Sequence, residues 1–370
     1  MLSEMLRPER RAHPRRIALV LGGGGLKGFA HIGVLRALEE RGVRPSVIAG
    51  TSIGALMGAA YACGMPVPEM GERARRFRKA DLFRLNHLGM LVDRMRSRAI
   101  YMDAPLRASV ESVVADRRFD ELETRLLVNT VDLRRGTTVV WGLPGLRDVS
   151  IRDAVYASCA LPGYFPPGQV DGRLCVDGGV VDNLPVAIAA LGCDAVIAVD
   201  VGNSDLTHGG DVEDQGFAAI YMRAATVMMH ALQLQPLAQW SGPPMILIRP
   251  RVTHLGWFSF GHTAEIIEEG YRSAVIALEH LDECLAAPGG IFPRRNVRIS
   301  VNRDLCTGCG ICAALAPQLM GLDSQRKAFA RAAVVPWSPA DGDFVSHCPT
   351  RAIDVIEDSV PERRLAASGD

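Results

Sequence analysis

Four short stretches of this sequence have residue types and spacings that could do chemistry. Residues 22–28 read Gly22-Gly23-Gly24-Gly25-Leu26-Lys27-Gly28 and follow the apolar run 17–21 directly. Four glycines in a row between a strand and a helix bring something close to the backbone amides. A dinucleotide pyrophosphate and the oxyanion of a hydrolytic transition state would each fit there. Residues 50–54 read Gly50-Thr51-Ser52-Ile53-Gly54, a Gly-x-Ser-x-Gly whose flanking glycines permit the strained turn that lifts a serine hydroxyl above a sheet. Serine is a poor nucleophile until a base takes its proton, and Asp177 in Asp177-Gly178-Gly179 is the candidate base. Cys306, Cys309 and Cys312 stand at Cys-x-x-Cys-x-x-Cys spacing, with Cys348 before Pro349. Three thiolates in seven residues wrap one corner of a compact inorganic core, and a distant fourth closes it.

Neighbouring residues weigh between these chemistries. Gly23, Gly25 and Gly28 satisfy Gly-x-Gly-x-x-Gly, but a dinucleotide fold also wants a carboxylate roughly 20 positions on. That place reads "VIAGTSIGAL", without one. The Walker A pattern fails as well, since no Gly-Lys-Ser/Thr follows. A Ser-Asp-His triad would draw on His208, His230, His254 or His262, none of which carries a signature. His31 reads as a packing or hydrogen-bonding residue near the site and not as a base. An aspartate at its ordinary pKa of ~3.9 is a weak base, so Asp177 must gain from proximity and burial. The alternative from another enzyme class is an NAD(P)-dependent oxidoreductase whose glycine-rich loop binds the nucleotide and passes electrons to an iron–sulfur cluster.

The elements that must position these residues alternate along the chain. "IALVL", "VIAG", "LLVNTVDL", "TTVVWG", "AVIAVDVG" and "MILIRP" read as strands, with helices over 28–40, 53–63, 216–237 and 263–285. This is an α/β layout around a largely parallel sheet. Residues 1–15 read as a basic arm, 16–286 as the main domain, 287–296 (rich in Pro and Gly) as a linker, 297–357 as a small module and 358–370 as a frayed tail. Between 73 and 98 stand nine Lys/Arg and two acids, interleaved with apolar residues. The plain reading is a solvated helical face, and the sharper one is a flap on an anionic membrane surface.

The chain has 370 residues, 41 Lys+Arg and 41 Asp+Glu, a balance that gives no pull toward nucleic acid. The arginine-rich start meets only five apolar residues before the glycines, short of a signal peptide's ~7–15. Nor does any stretch approach the ~18 uninterrupted apolar residues of a spanning helix. Cys63, Cys159, Cys175, Cys193 and Cys284 stand alone, mostly among apolar neighbours, and read as small buried hydrophobes. Free thiols in this number imply a reducing, cytoplasmic compartment, with the membrane surface as the peripheral variant.

The glycine loop, the Gly-x-Ser-x-Gly and the Asp-Gly-Gly, in that order, resemble the patatin-like phospholipases. The likeness extends over the block 154–202 and the helix "AEIIEEGYRSAVIAL", and covers about 16–285. It implies a three-layer α/β/α fold and a Ser–Asp dyad hydrolysing acyl esters of lipids without a cofactor. Ser52 would be the nucleophile and Asp177 the base. Amides of Gly23, Gly24 and Gly25 would form the oxyanion hole, with Lys27 at the family's basic position and Gly28, Gly50, Gly54, Gly178 and Gly179 shaping the turns. Cys159 departs from the family pattern and is expected to stay clear of the chemistry. The stretch 297–356 resembles the bacterial ferredoxins, small α+β iron–sulfur domains. Where two-cluster ferredoxins place another cysteine before proline, this sequence has Ala316 before Pro317. The resemblance therefore implies one [4Fe–4S] cluster on Cys306, Cys309, Cys312 and Cys348, serving electron transfer or redox sensing with a redox partner. Structural zinc would draw two separated Cys-x-x-Cys pairs instead.

Overall fold

The structure is a computed structural model that describes residues 15–85, 99–202, 216–252, 254–338, 344–345 and 347–357. The chain divides into two compact units, one of residues 1–233 with 242–289 and one of 234–241 with 290–370.

In the first unit, the strands β1 (Ile17–Leu21), β2 (Val47–Thr51), β3 (Arg125–Asp132), β4 (Thr137–Trp141), β5 (Gly168–Val170), β6 (Arg173–Asp177), β7 (Ala195–Val199) and β8 (Met245–Ile248) make a sheet of order β5-β6-β3-β2-β1-β7-β8, with β4 paired to β3. The centre is parallel: β1 pairs with β2 and β7, β2 with β3, and β7 with β8. β4, β5 and β6 turn one edge antiparallel, so the sheet is mixed. β1, β2, β7 and β8 are buried at every position. They can therefore be continuous apolar runs instead of alternating ones, as a sheet covered on both faces requires. Fully burying one such Val, Leu or Ile contributes about 1.5–3 kcal/mol.

The helices of this unit are α1 (Ala30–Glu40), α2 (Ile53–Ala62), α3 (Val67–Arg76), α4 (Lys79–Leu82), α5 (Asp103–Val113), α6 (Ile151–Cys159), α7 (Val186–Ala189) and α9 (Thr263–Leu278), with the short α10 (Leu281–Ala286) after it; the long α8 (Phe217–Ala238) precedes β8. They give the three-layer α/β/α arrangement expected. Two junctions place the site. β2 runs into α2 through Ser52, and β6 ends at Asp177. α2 lies on the sheet so closely that a Cβ on Gly54 would sit 2.0 Å from the Leu21 carbonyl oxygen, so no side chain fits there. Among the described residues, no helix is long and apolar enough to cross a membrane.

The second unit holds β10 (Arg295–Val301), which follows the two-residue β9 (Ile291–Phe292), then α11 (Ile311–Leu315), β11 (Met320–Leu322), β12 (Ala328–Ala330), β13 (Val335–Trp337) and β14 (Ile353–Glu357). β10 lies between β13 and β14, antiparallel to both, and β11 pairs with β12. β10 begins at Arg295, inside the stretch read as linker. Its core gathers Val297, Ile299, Met320 and Phe344 with Cys306, Cys312 and Ala316.

Candidate active site and cysteine cradle

Ser52 holds φ 55° and ψ −125°, a left-handed conformation that a residue with a Cβ adopts only under strain of about 1–3 kcal/mol. The elbow is held in place by contacts from distant elements. The Ser52 amide donates to Ser158 Oγ (2.9 Å) on α6, and the Ser158 hydroxyl donates to the Asn129 carbonyl (2.7 Å) on β3. Asn129 Nδ2 donates to the Asp182 carbonyl (2.7 Å). Ser52 and Asp177 line the same cavity, and the Ser52 hydroxyl favours the charged form of the Asp177 carboxylate.

Asp177 is 3% exposed and also accepts from the Gly179 amide (2.8 Å). Burial pushes its pKa up to about 6, while the Ser52 hydroxyl and the Gly179 amide pull the other way. The sequence reading needed a better base than an ordinary aspartate, and desolvation supplies one. Asp177's own amide donates to the Ala160 carbonyl (3.1 Å), which draws the end of α6 alongside. This brings in Cys159. Its side chain lines the same cavity as Ser52 and Asp177, and burial, with the nearby Asp177 charge, raises its thiol well above the ordinary range. Cys159 thus stands beside Asp177: α6 ends against β6, an approach that sequence distance concealed.

The glycine loop divides its amides between anchoring and the cavity. Gly22 donates to the Val199 carbonyl (3.0 Å), Gly23 to the Asn183 carbonyl (3.2 Å) and Leu26 to the Trp257 carbonyl (2.7 Å). Asn183 Nδ2 returns a bond to the Gly23 carbonyl (3.0 Å), so Asn183 grips Gly23 from both sides. Among the described residues, the amides of Gly24 and Gly25 have no backbone acceptor. Gly25 has φ 59°, and a Cβ there would meet the Trp257 carbonyl oxygen at 2.3 Å, so both conformation and space demand glycine.

Lys27 and His31 lie elsewhere. Both are completely buried, and among the described residues lining the cavity neither is present. Burial brings the Lys27 ammonium down to about 8 against the pull of Asp200. His31 Nε2 bonds the Gly22 carbonyl (2.8 Å), and burial brings the imidazole down to about 4. It is a packing residue behind the loop, as the sequence suggested. His254 and His262 are exposed and face Glu265, away from the dyad's cavity lining. His208 lies outside the described residues, and so does the side chain of His230.

The cavity measures about 920 Å³ and opens from Ser52 between α2, α3 and α5. Ile53, Leu56, Met57, Met70, Phe77 and Phe165 give it apolar walls. Phe77 and Phe83, from the basic segment, turn inward onto an aromatic cluster with Phe258, Phe260 and Tyr101. Arg75, Arg76, Arg78, Lys79 and Arg84 of that segment are exposed, and its residues 86–98 lie outside the described ones.

In the second unit, Cys306, Cys309, Cys312 and Cys348 line one small void. Gly308 (φ 70°) and Gly310 (φ 81°) turn the chain between them. Amides point at the sulfurs: Ala328 N donates to Cys306 Sγ (3.4 Å) and Ala352 N to Cys348 Sγ (3.2 Å). Among the described residues, no three His, Cys, Asp or Glu side chains gather as ligands of a single metal ion. The cradle's donor set is thiols alone, the soft set that iron–sulfur centres take, and the residues fit such a group. Ala316 is fully buried in the core here, a methyl group where a second cluster would need a ligand.

Comparison with known proteins bears on both sites. Residues 19–190 match the patatin-like phospholipase family. The chain carries a patatin-like domain. Residues 299–355 match the 4Fe-4S single cluster domain family. Over 194 residues the chain is 38% identical to patatin-like phospholipase domain-containing protein 6 of Mus musculus, covering 52% of this chain and 14% of that protein. It is 36% identical over 199 residues to an uncharacterised NTE family protein of Mycobacterium tuberculosis, covering 54% of this chain and 52% of the relative. The chain thus spans about half the length of the mycobacterial relative and a seventh of the murine one. The crystal structure of VipD from Legionella pneumophila aligns with 72% of this chain and 67% of its own, at 16% identity and a TM-score of 0.38.

Proposed function

We propose that this patatin-like chain hydrolyses acyl esters of lipids through a Ser52–Asp177 dyad. The observation that carries the reading is a strained, strand-to-helix serine lining one cavity with a buried aspartate, beside two amides without a backbone acceptor among the described residues. Asp177 takes the Ser52 proton as Oγ attacks the ester carbonyl. The amides of Gly24 and Gly25, and the α2 N-terminus, meet the charge that develops on the carbonyl oxygen. Gly23 serves as the anchor and not as a donor, its amide being engaged by Asn183. Protonated Asp177 then returns its proton to the departing alcohol, and water, activated the same way, frees Ser52 from its acyl group. No cofactor enters these steps. Against a nicotinamide reading stands the end of β2, where Ser52 occupies the place of a ribose-binding carboxylate.

Cys306, Cys309, Cys312 and Cys348 would hold one [4Fe–4S] cluster, which supplies one-electron transfer or redox sensing with a partner protein. The place of action is the cytoplasm at the membrane surface, reached through the exposed Arg75, Arg76, Arg78 and Lys79, each contributing about 1 kcal/mol near anionic lipid. Reversing the charge of Arg75, Arg76 and Arg78 should weaken binding to anionic vesicles in a salt-sensitive way. Equal binding by variant and wild type would return this segment to a solvated face.

The experiment that tests the hydrolase reading is labelling with a fluorophosphonate probe followed by peptide mapping. The expected adduct is on Ser52, and absence of a Ser52 adduct sinks the mechanism.

A further inference from the structure

The cysteine loop of the second unit turns on glycine at two left-handed positions, Gly308 and Gly310. At two further left-handed positions this unit has arginine instead, Arg326 at φ 61° and Arg351 at φ 50°. Glycine adopts this conformation freely, whereas a residue with a Cβ holds it only under strain. Backbone geometry therefore accounts for neither arginine. Both are exposed.

Both also stand at the cysteine cradle. A Cβ on Gly308 would lie 2.5 Å from the Arg326 carbonyl oxygen and 3.4 Å from the Arg326 Cβ, so the β11–β12 turn rests against the loop between Cys306 and Cys309. The Arg351 amide donates to the Cys348 carbonyl (3.2 Å), and the neighbours Thr350 and Ala352 line the void. Lys327 adds a cation, its Nζ donating to the Cys306 carbonyl (2.6 Å). The acids in the loops 302–310, 323–327 and 348–352 are Asp304 and Asp323, and Asp323 is paired with Arg303 (2.6 Å). The balance at these loops is positive. Cys309 itself is exposed, as are Leu305 and Ile311 in the same loop.

Anionic thiolates around an inorganic core would repel an acidic protein, and cations on the rim reverse that repulsion. Exposed apolar residues with arginines beside them have the composition of a docking patch. Electron-transfer encounters are small, so a few charges decide which partner docks. We propose that the mouth of the cysteine cradle is a docking face for an acidic one-electron carrier protein, with Arg326 and Arg351 as its anchors. One electron leaves the reduced cluster for the oxidised group of the carrier, and no bond forms or breaks. The inference rests on the reading of the four cysteines as cluster ligands.

The test is the affinity of an acidic flavodoxin for the anaerobically purified full chain, by titration calorimetry at about 20 mM and about 200 mM salt, the second screening charges beyond about a Debye length. Wild type is compared with Arg326→Gly/Arg351→Gly and with Arg326→Glu/Arg351→Glu, with iron content, thermal melt and cluster potential measured for each. Glycine fits both left-handed positions, so the first variant should fold. At low salt the glycine pair should weaken binding at least about fivefold and the glutamate pair at least about twentyfold, and higher salt should remove most of the difference. A basic carrier, cytochrome c, should show the reverse order. Equal affinity in all three chains, or no salt-sensitive binding to iron-loaded wild type, would overturn the docking face. Variants that lose affinity for anionic vesicles but not for flavodoxin would overturn it too, in favour of a lipid surface. So would a shifted cluster potential at unchanged affinity, which would give the arginines to the cluster and not to a partner. A wild type that binds no iron would instead remove the cluster reading beneath the proposal.

Discussion

The glycine loop at 22–25 and the cysteine loop at 306–312 are both glycine-bearing turns that lead into a helix. They differ in which part of the residue faces the site. In the first, side chains are absent and backbone amides are the proposed working groups. Val199, Asn183 and Trp257 clamp the loop from three other elements, leaving Gly24 and Gly25 aimed without any ligand to organise them. In the second, glycines at 308 and 310 serve only to turn the chain, so that sulfurs point into a void lined by all four cysteines. The difference fits what each site is proposed to meet. An oxyanion exists only in passing, so its donors must be fixed in advance. An inorganic core is a permanent group that itself ties its ligands together.

The largest effect should come from breaking the fixed half. Ser52→Ala and Asp177→Asn should each lower turnover of a short-chain ester by at least about 10³-fold, since residues that act as one unit fail as one unit. Circular dichroism should show both variants folded. Wild-type-like turnover in either would relocate the chemistry.

A smaller effect sharpens the same half. The pKa of Asp177 is raised to about 6 by burial, and the base must be deprotonated to accept the Ser52 proton. kcat/KM should therefore be constant above that pH and fall about tenfold per pH unit below it. In Asp177→Asn the residual rate should lose this limb. An acid limb near pH 4 would mean that the carboxylate is not desolvated in the working protein.

How far the sequence foretold these sites depends on the range of the interactions. Ser52 and Asp177 were legible because glycine spacing is a local record of backbone geometry: an elbow or a tight turn needs its glycines beside it. The four cysteines were legible for a like reason, their spacing being set by one loop around one core. Asn183, Ser158 and Asn129 were not. Each acts across more than twenty residues of sequence, and a polar residue that grips a distant carbonyl looks like any other. Asn183 did stand inside a block quoted for its likeness, six residues after Asp177, and that adjacency was the available signal. The inward turn of Lys27 was equally hidden, because a basic residue in a glycine loop suggests exposure to the ligand, whereas here it is packed beneath the loop near Asp200. The parallel centre of the sheet could be read from continuous apolar runs. Its antiparallel edge could not, because β5 and β6 are short and only partly buried.

The smallest expected effect is on hydrolysis when the cysteine loop is broken, and it tests whether the two loops are separate devices at all. Ester hydrolysis moves protons and no electrons, so a cluster has no step to perform in the dyad mechanism. Cys306→Ala removes a thiol whose sulfur accepts from Ala328 and whose side chain belongs to the second unit's core. It should abolish the brown iron–sulfur absorption while soluble-ester turnover stays within about twofold of wild type. Iron analysis of anaerobically purified wild type should give about four irons per chain, as one cubane requires, and not about eight. A value near eight would contradict the reading of the buried Ala316. A large fall in turnover in Cys306→Ala, with the first unit shown to be folded, or a large change when wild type is reduced, would show that the second loop governs the first. The oxidation state would then belong to the description of the esterase site, and the contrast between a fixed site and a ligand-tied one would become a coupling between them.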